Sequence, residues 1–437
     1  MGRIEDMTIP RVFALLCLCA VPALPQIAGN WFVTAESFGA PNYFRIELTQ
    51  EGDKVTGKFG GTKVTDVSVN GNSIRLVATQ DDGSTRVADA TLADGKLTGK
   101  GTDTYIGDKA HPFTYSFTAI RVPVRPTRPA QRHEFTPTVF YREFSPFNKP
   151  ALTIAPGDTV HTTTVDAGGA DADGVRRSRG GNPETGPFYI ESALPGDTLV
   201  VHLVHLRLNR DYAVSDDGIV DRGLESDLAV KMKDTGKGVR WHLDLANGVA
   251  TPENPSEHLK HYTVPLKPML GCVATAPGPG GAPPPTGDSG NWGGNMDFNE
   301  IVEGSTIYLP VANPGALLYV GDGHAAQGDG ELNGDALETS MDVEFTVDVI
   351  PGKRLRARRV ETPSHVIAMG YAGSLDDALR WATGNMAQWL ADEYKLTPSE
   401  IGQVLGTASE YKVAEVADRN VGVVLKIGKD RLKALGQ

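Results

Sequence analysis

Cysteine is scarce, with only three among 437 residues. Cys17 and Cys19 fall in the first apolar run, so the chain beyond it holds Cys272 alone and has no intrachain disulfide to staple an exported fold. Flanked by Gly271 and Val273, Cys272 reads as a buried structural thiol. Basic charge is also short. Lys+Arg number 42 against 54 Asp+Glu, a net charge of −12, and the basic stretches are short and scattered, which argues against a nucleic-acid partner. Past the first segment no run is long and apolar enough for a transmembrane helix. The chain lacks a G-x-G-x-x-G before a helix, a P-loop lysine, an EF-hand spacing, a G-x-S-x-G elbow and an H-E-x-x-H pair. What remains for hydrolysis is a water activated by a metal or a carboxylate.

Residues 12–23, VFALLCLCAVPA, are apolar, follow Arg11 and end in small residues. That layout predicts a signal peptide over 1–28 and a secreted or periplasmic protein with no membrane partner once it is removed. From 29 to 124, short alternating runs are separated by Asn70-Gly71, Asp82-Gly83 and Asp94-Gly95. These are hairpin turn signals and predict a small β-meander that closes into a barrel, with Trp31 plugging one end. A Pro- and Arg-rich stretch, 125–133, reads as a stiff exposed linker. From 134 onward the chain is strand-rich, and helices enter only at about 374–435. There Ser374 and Asp377 form one helix start, and Thr397, Pro398 and Glu400 a second. Leu375, Leu379, Ala382, Met386 and Leu390 fall on one helical face. The fold class is mainly β, with a small α/β part at the C-terminus.

The densest polar region is 288–331. Gly321-Asp322-Gly323-His324 is echoed after seven residues by Gly328-Asp329-Gly330-Glu331. The apolar run GALLYV before it reads as a buried strand that delivers the loop to a fixed point. Imidazole nitrogen and hard carboxylate oxygen suit zinc or a similar divalent ion. By spacing alone, the same residues read equally well as two solvated glycine turns. His202 and His205 are three apart, which on a regular strand places them on opposite faces.

The pieces GPFYIESALPGDTLVVHL (187–204), TGDSGNWGGNMDFNEIVEGSTIYLPV (286–311) and GALLYVGDGHAAQGDGELNGDALETS (315–340) resemble the acetamidase/formamidase family. The resemblance implies a β-rich catalytic domain over 134–437, homo-oligomers, and hydrolysis of short-chain linear amides such as formamide and acetamide to carboxylate and ammonia. The chain then looks like an exported branch with an added N-terminal β domain. Carried onto this sequence, His324, Asp297 and Asp329 would hold a divalent metal, zinc or alternatively calcium. Glu331 would serve as the base, Asn295 would bond the amide or its developing oxyanion, and Glu191 is a further candidate acid. A larger or cyclic amide as substrate, or a non-catalytic secreted ligand-binding protein, are the alternatives.

Overall fold

The computed structural model describes residues 27–52, 54–232 and 236–435. The expected signal peptide therefore lies outside the described residues over 1–26. The chain forms two compact units, one ending at Val122 and the other starting at Pro123. No helix among the described residues is long and apolar enough to cross a membrane.

The first unit is a closed eight-stranded antiparallel barrel in sequential order. Its strands are β1 (Gly29–Ser37), β2 (Ala40–Glu51), β3 (Lys54–Phe59), β4 (Thr62–Asn70), β5 (Ser73–Thr79), β6 (Thr85–Ala93), β7 (Lys96–Thr104) and β8 (Phe113–Arg121). Alternate residues point inward, and Trp31, Ile46, Phe59, Leu76 and Leu97 fill the interior. Asp94 and Gly95 both take positive φ (50° and 73°), which a two-residue turn matched to strand twist requires. Trp31 is fully buried, donates its indole N–H to the Ile27 carbonyl at 2.9 Å, and carries the Arg121 guanidinium on its face.

The second unit is mainly β, built on a nine-stranded and a twelve-stranded sheet. Strand Met341–Ile350 sits inside the smaller sheet between Thr198–Leu208 and Thr159–Thr163, and every second residue of it is buried. Val343, Phe345 and Val347 share one core with Leu199, Val201 and Leu203 of the same sheet and with Phe188, Val273 and Val320 of the other. In the larger sheet, Leu318–His324 runs between Met269–Thr275 and Glu338–Thr339, and all seven of its residues are buried. Only Leu318, Tyr319 and Val320 of the expected strand GALLYV lie in it; Gly315, Ala316 and Leu317 precede it at positive φ, and the strand runs on through Gly321–His324. A bulge between Leu203 and His205 shifts the phase of Thr198–Leu208. His202 and His205 therefore both leave the core, bonding Thr306 and pairing with Glu303, instead of facing opposite ways.

The 125–133 stretch is no free spacer. Arg125 pairs with Asp348 at 2.6 Å, and Arg132 opens a strand, Arg132–Phe135, that lies parallel to Thr159–Thr163. Arg128, His133 and the N–H groups of Gln131 and Ala155 all converge on fully buried Asp158. Burial alone would raise the Asp158 pKa; the hydrogen bonds from Arg128, Ala155, His133 and Gln131 outweigh it and hold the carboxyl well below its usual range. Asp158→Ala strands a guanidinium and two amide donors and is expected to cost about 3 kcal/mol or more in urea unfolding. Because the folded pKa is depressed, the stability that this carboxylate contributes is present above its unfolded pKa of about 4 and is lost as pH falls.

Four helices occur among the described residues of this unit: α1 (Ser226–Lys231), α2 (Leu375–Tyr394), α3 (Pro398–Ala408) and α4 (Lys429–Leu432). Ser374 caps α2 through the Asp377 N–H, and Thr397 and Glu400 form a reciprocal capping box on α3. The buried face of α2 is rotated from the expected one. Ala378, Ala382, Asn385, Met386 and Leu390 are buried, whereas Leu375 and Leu379 are exposed. Gly370 explains the rotation, since a Cβ there would run into the Ala378 carbonyl and the Ala382 nitrogen. The helix backbone rests on the strand that carries Gly370, His365–Ala372, through its small residues, and the leucines turn outward.

Candidate metal centre

His324 ends the buried strand Leu318–His324, and Asp322 lies two residues earlier on the same face. Glu338 stands opposite His324 in the neighbouring strand. Asp297 follows the short strand Gly293–Asn295, which pairs with Met269–Thr275. His324 Nε2 lies 3.0 Å from Glu338 Oε1, 3.3 Å from Asp322 Oδ2 and 3.9 Å from Asp297 Oδ1. Two triads of ligand atoms result, Asp297–Asp322–His324 and His324–Glu331–Glu338, each within 4.8 Å and each fully buried. Asp297, Asp322 and Glu331 all sit at positive φ, of 37°, 54° and 46°. Non-glycine residues hold that conformation only where their surroundings fix it, and such positions cluster at functional sites.

Gln327 sets the tautomer of His324. Its amide nitrogen donates to the Asp297 and Ala414 carbonyls, so its oxygen must accept from His324 Nδ1 at 2.9 Å. Nδ1 therefore carries the proton, and Nε2 points at the acids. No hydrogen bond of proper geometry reaches Nε2, Asp297 Oδ1, Asp322 Oδ1 or Glu338 Oε2. Buried ligand atoms that converge in this way, several of them short of a hydrogen-bond partner, suit a cation. Gly271 makes the approach of the two aspartates possible. It stands across from Asp322, and a Cβ there would come under 3.0 Å from both Asp297 Oδ1 and Asp322 Oδ2.

The local electrostatics carry the same signature. Burial, then the charges of Glu331 and Asp322, push the Asp297 pKa well up, with His324 opposing. Burial raises Glu331 strongly, against His324. Glu338 is pushed up to about 7 by burial, and Asp418 to about 6 by burial against its bond from Asn295. Burial would lower His324, but Glu338 and Asp322 raise it well above its usual value. One imidazole faces many carboxylates, an excess of negative charge that a divalent ion would neutralise. Acids with raised folded pKa values and a histidine with a raised one both bind protons more tightly in the folded state. Stability of the ion-stripped protein is therefore expected to fall as pH rises from about 5 to about 8. Melting curves in chelator should show this fall, and a saturating divalent ion should flatten it.

Among the residues expected from sequence, His324, Asp297, Glu331 and Asn295 come together. Asn295 differs from expectation in its bonding. Its amide nitrogen donates to Asp297 at 2.6 Å and to Asp418 at 2.9 Å, so its donors orient carboxylates and only Oδ1 is free. Asp329 stands apart. Its side chain is half exposed and bonds Asn299 and Lys412, because the second Gly-Asp-Gly lies past the end of the strand. Glu191 is also outside the cluster, half-buried in a turn where its charge acts on Tyr189 and Arg128. The sequence analysis named Asp322 in the motif but gave it no role, and did not name Gln327, Glu338, Glu415 or Asp418. Asp322 and Gln327 sit inside the glycine-rich motif and Glu338 just beyond it, whereas Glu415 and Asp418 arrive from the far end of the chain. Cys272 is buried as expected, beside the fully buried Glu184.

Residues 284–401, which hold most of this cluster, match the Acetamidase/Formamidase family. Over this stretch the chain is similar to members of that family. It is 44% identical over 61 residues to an acetamidase of Mycolicibacterium smegmatis, a match covering 14% of this chain and 15% of that protein. The chain thus spans under a sixth of the length of that curated relative. Among solved structures, a recombinant predicted acetamidase/formamidase from Thermoanaerobacter tengcongensis aligns with a TM-score of 0.60 at 28% identity, over 71% of this chain and 99% of that one. An acetamidase from Yersinia enterocolitica aligns with a TM-score of 0.61 at 26% identity, over 72% and 96%.

Proposed function

We propose that this protein hydrolyses short-chain linear amides to carboxylate and ammonia at a divalent metal centre. The observation that carries the reading is the buried convergence of His324 Nε2 with the oxygens of Asp297, Asp322 and Glu338, within the stretch similar to the Acetamidase/Formamidase family. One imidazole with carboxylates suits zinc; calcium takes oxygen ligands throughout and fits His324 less well. His324, Asp297 and Asp322 would hold the divalent ion, which would supply Lewis acidity for the amide carbonyl and the water.

The chain's own residues do the rest. Gln327 keeps the His324 lone pair aimed inward, and Asn295 keeps Asp297 in place. Glu331, steadied by the Ala336 N–H at 3.2 Å, takes the proton of the attacking water and returns it to the nitrogen as the C–N bond breaks. The apolar run at 12–23 supports export.

The test is ammonia release from formamide and acetamide by purified protein. Release is expected to vanish on chelation and to return with added zinc. Absence of ammonia from every short amide, with an ion shown to be bound, would overturn the reading.

A further inference from the structure

We propose that Arg358 is the binding residue for the oxygen end of the substrate, the carbonyl oxygen of a short amide and the carboxylate of its product. This rests on the amidase reading and adds to it the group that anchors the reacting function. Arg358 is 2% exposed. Its Nη1 donates to the Gly290 carbonyl, and its plane covers the Tyr371 ring at 4.1 Å. Its Nε and Nη2 have no hydrogen-bond partner. A buried guanidinium with two idle donors is costly unless something else takes them. Nε and one Nη form the fork that meets a planar oxygen acceptor.

Arg358 is tied to the metal centre by a chain of contacts. The Tyr371 hydroxyl donates to the carbonyl of Met296, the residue between Asn295 and Asp297. Asn295 donates to Asp418, and the Asp418 N–H donates to Glu415 at 3.0 Å. Asn420 then donates to the Ser289 carbonyl, next to the Gly290 that Arg358 holds. The loops at 289–297 and 415–420 and the side chains of Arg358 and Tyr371 therefore surround one region. Burial lowers the Arg358 pKa only to about 10, with Tyr371 and Glu415 opposing, so the group stays cationic at neutral pH. No carboxylate bonds it, although Glu415 and Asp418 lie on the same ring of contacts. The charge is left for a ligand.

Acetate binding to the metal-loaded protein, read by calorimetry, tests the site without turnover, and the KM for acetamide tests it with turnover. Arg358→Ala is expected to weaken acetate binding and raise KM by about 10-fold or more. Millimolar methylguanidinium should restore part of both losses by refilling the space against Tyr371, and a purely structural role predicts no such rescue. Arg358→Lys, which keeps the charge without the fork, should fall between. Acetate affinity within about twofold of the parent in both variants would overturn the assignment. If the parent protein binds acetate through Arg358 yet releases no ammonia from any amide, the amidase reading fails and the anchor stands. If it turns over amides and Arg358→Ala leaves acetate affinity and KM unchanged, the anchor fails and the amidase reading stands.

Discussion

His324→Ala is expected to weaken divalent-ion binding by at least about 100-fold and to lower amide turnover in step. The substitution removes the one nitrogen donor that the candidate clusters hold among the described residues, the others being carboxylates. It also frees the Gln327 oxygen, which in the parent protein does nothing but fix the imidazole. A polar cavity remains in which Asp297, Asp322, Glu331 and Glu338 repel one another with no imidazolium to soften the repulsion. Metal content after dialysis, measured beside ammonia release, checks both halves of the expectation. Asp329→Ala is the matched control. It removes an acid of the same glycine-rich motif that bonds only Asn299 and Lys412 at the surface, and activity should stay within about twofold. A large loss in the control, or full metal occupancy in His324→Ala, would show that the cluster is not the metal centre.

Gly271→Ala should be nearly as damaging, for a steric reason. The added methyl would come under 3.0 Å from carboxylate oxygens of both Asp297 and Asp322. Neither can retreat freely. Asp297 is held by Asn295 at 2.6 Å, and Asp322 lies in a strand buried throughout. The carboxylates must therefore spread, and a displacement of about 1 Å at a reacting centre costs on the order of 100-fold in rate. Overpacking adds about 1–3 kcal/mol of destabilisation, visible in a urea midpoint. Turnover within a few-fold of the parent would mean that the two aspartates do not act together.

The buried strand was legible in part, because Leu318, Tyr319 and Val320 form an apolar run, but it begins three residues later than expected and carries His324 itself instead of a loop. Asp322 was harder to read. Glycines on either side of it suggest a turn, whereas the strand continues through Gly321 and Gly323 as far as His324. Asp329 was expected at the metal through the family resemblance, but the strand ends before it and its side chain bonds Asn299 and Lys412 instead. Glu338 is adjacent only through the pairing register of two strands, and register is not written in composition. The capping residues of α2 and α3 were readable because they act within three positions. The buried face of α2 was not, because it answers to Gly370 on another element.

The bond between Asn295 and Asp418 joins residues 123 positions apart. Asp418 lies in the connection between Glu410–Val413 and Val421–Gly428, the hairpin at one edge of the nine-stranded sheet. During synthesis the glycine-rich motif leaves the ribosome roughly a hundred residues before that hairpin, and contacts so distant along the chain form late. A nascent protein therefore presents its acids before it can enclose them. Enclosure of the acids is thus expected to belong to the last stage of folding, when the C-terminal hairpin docks.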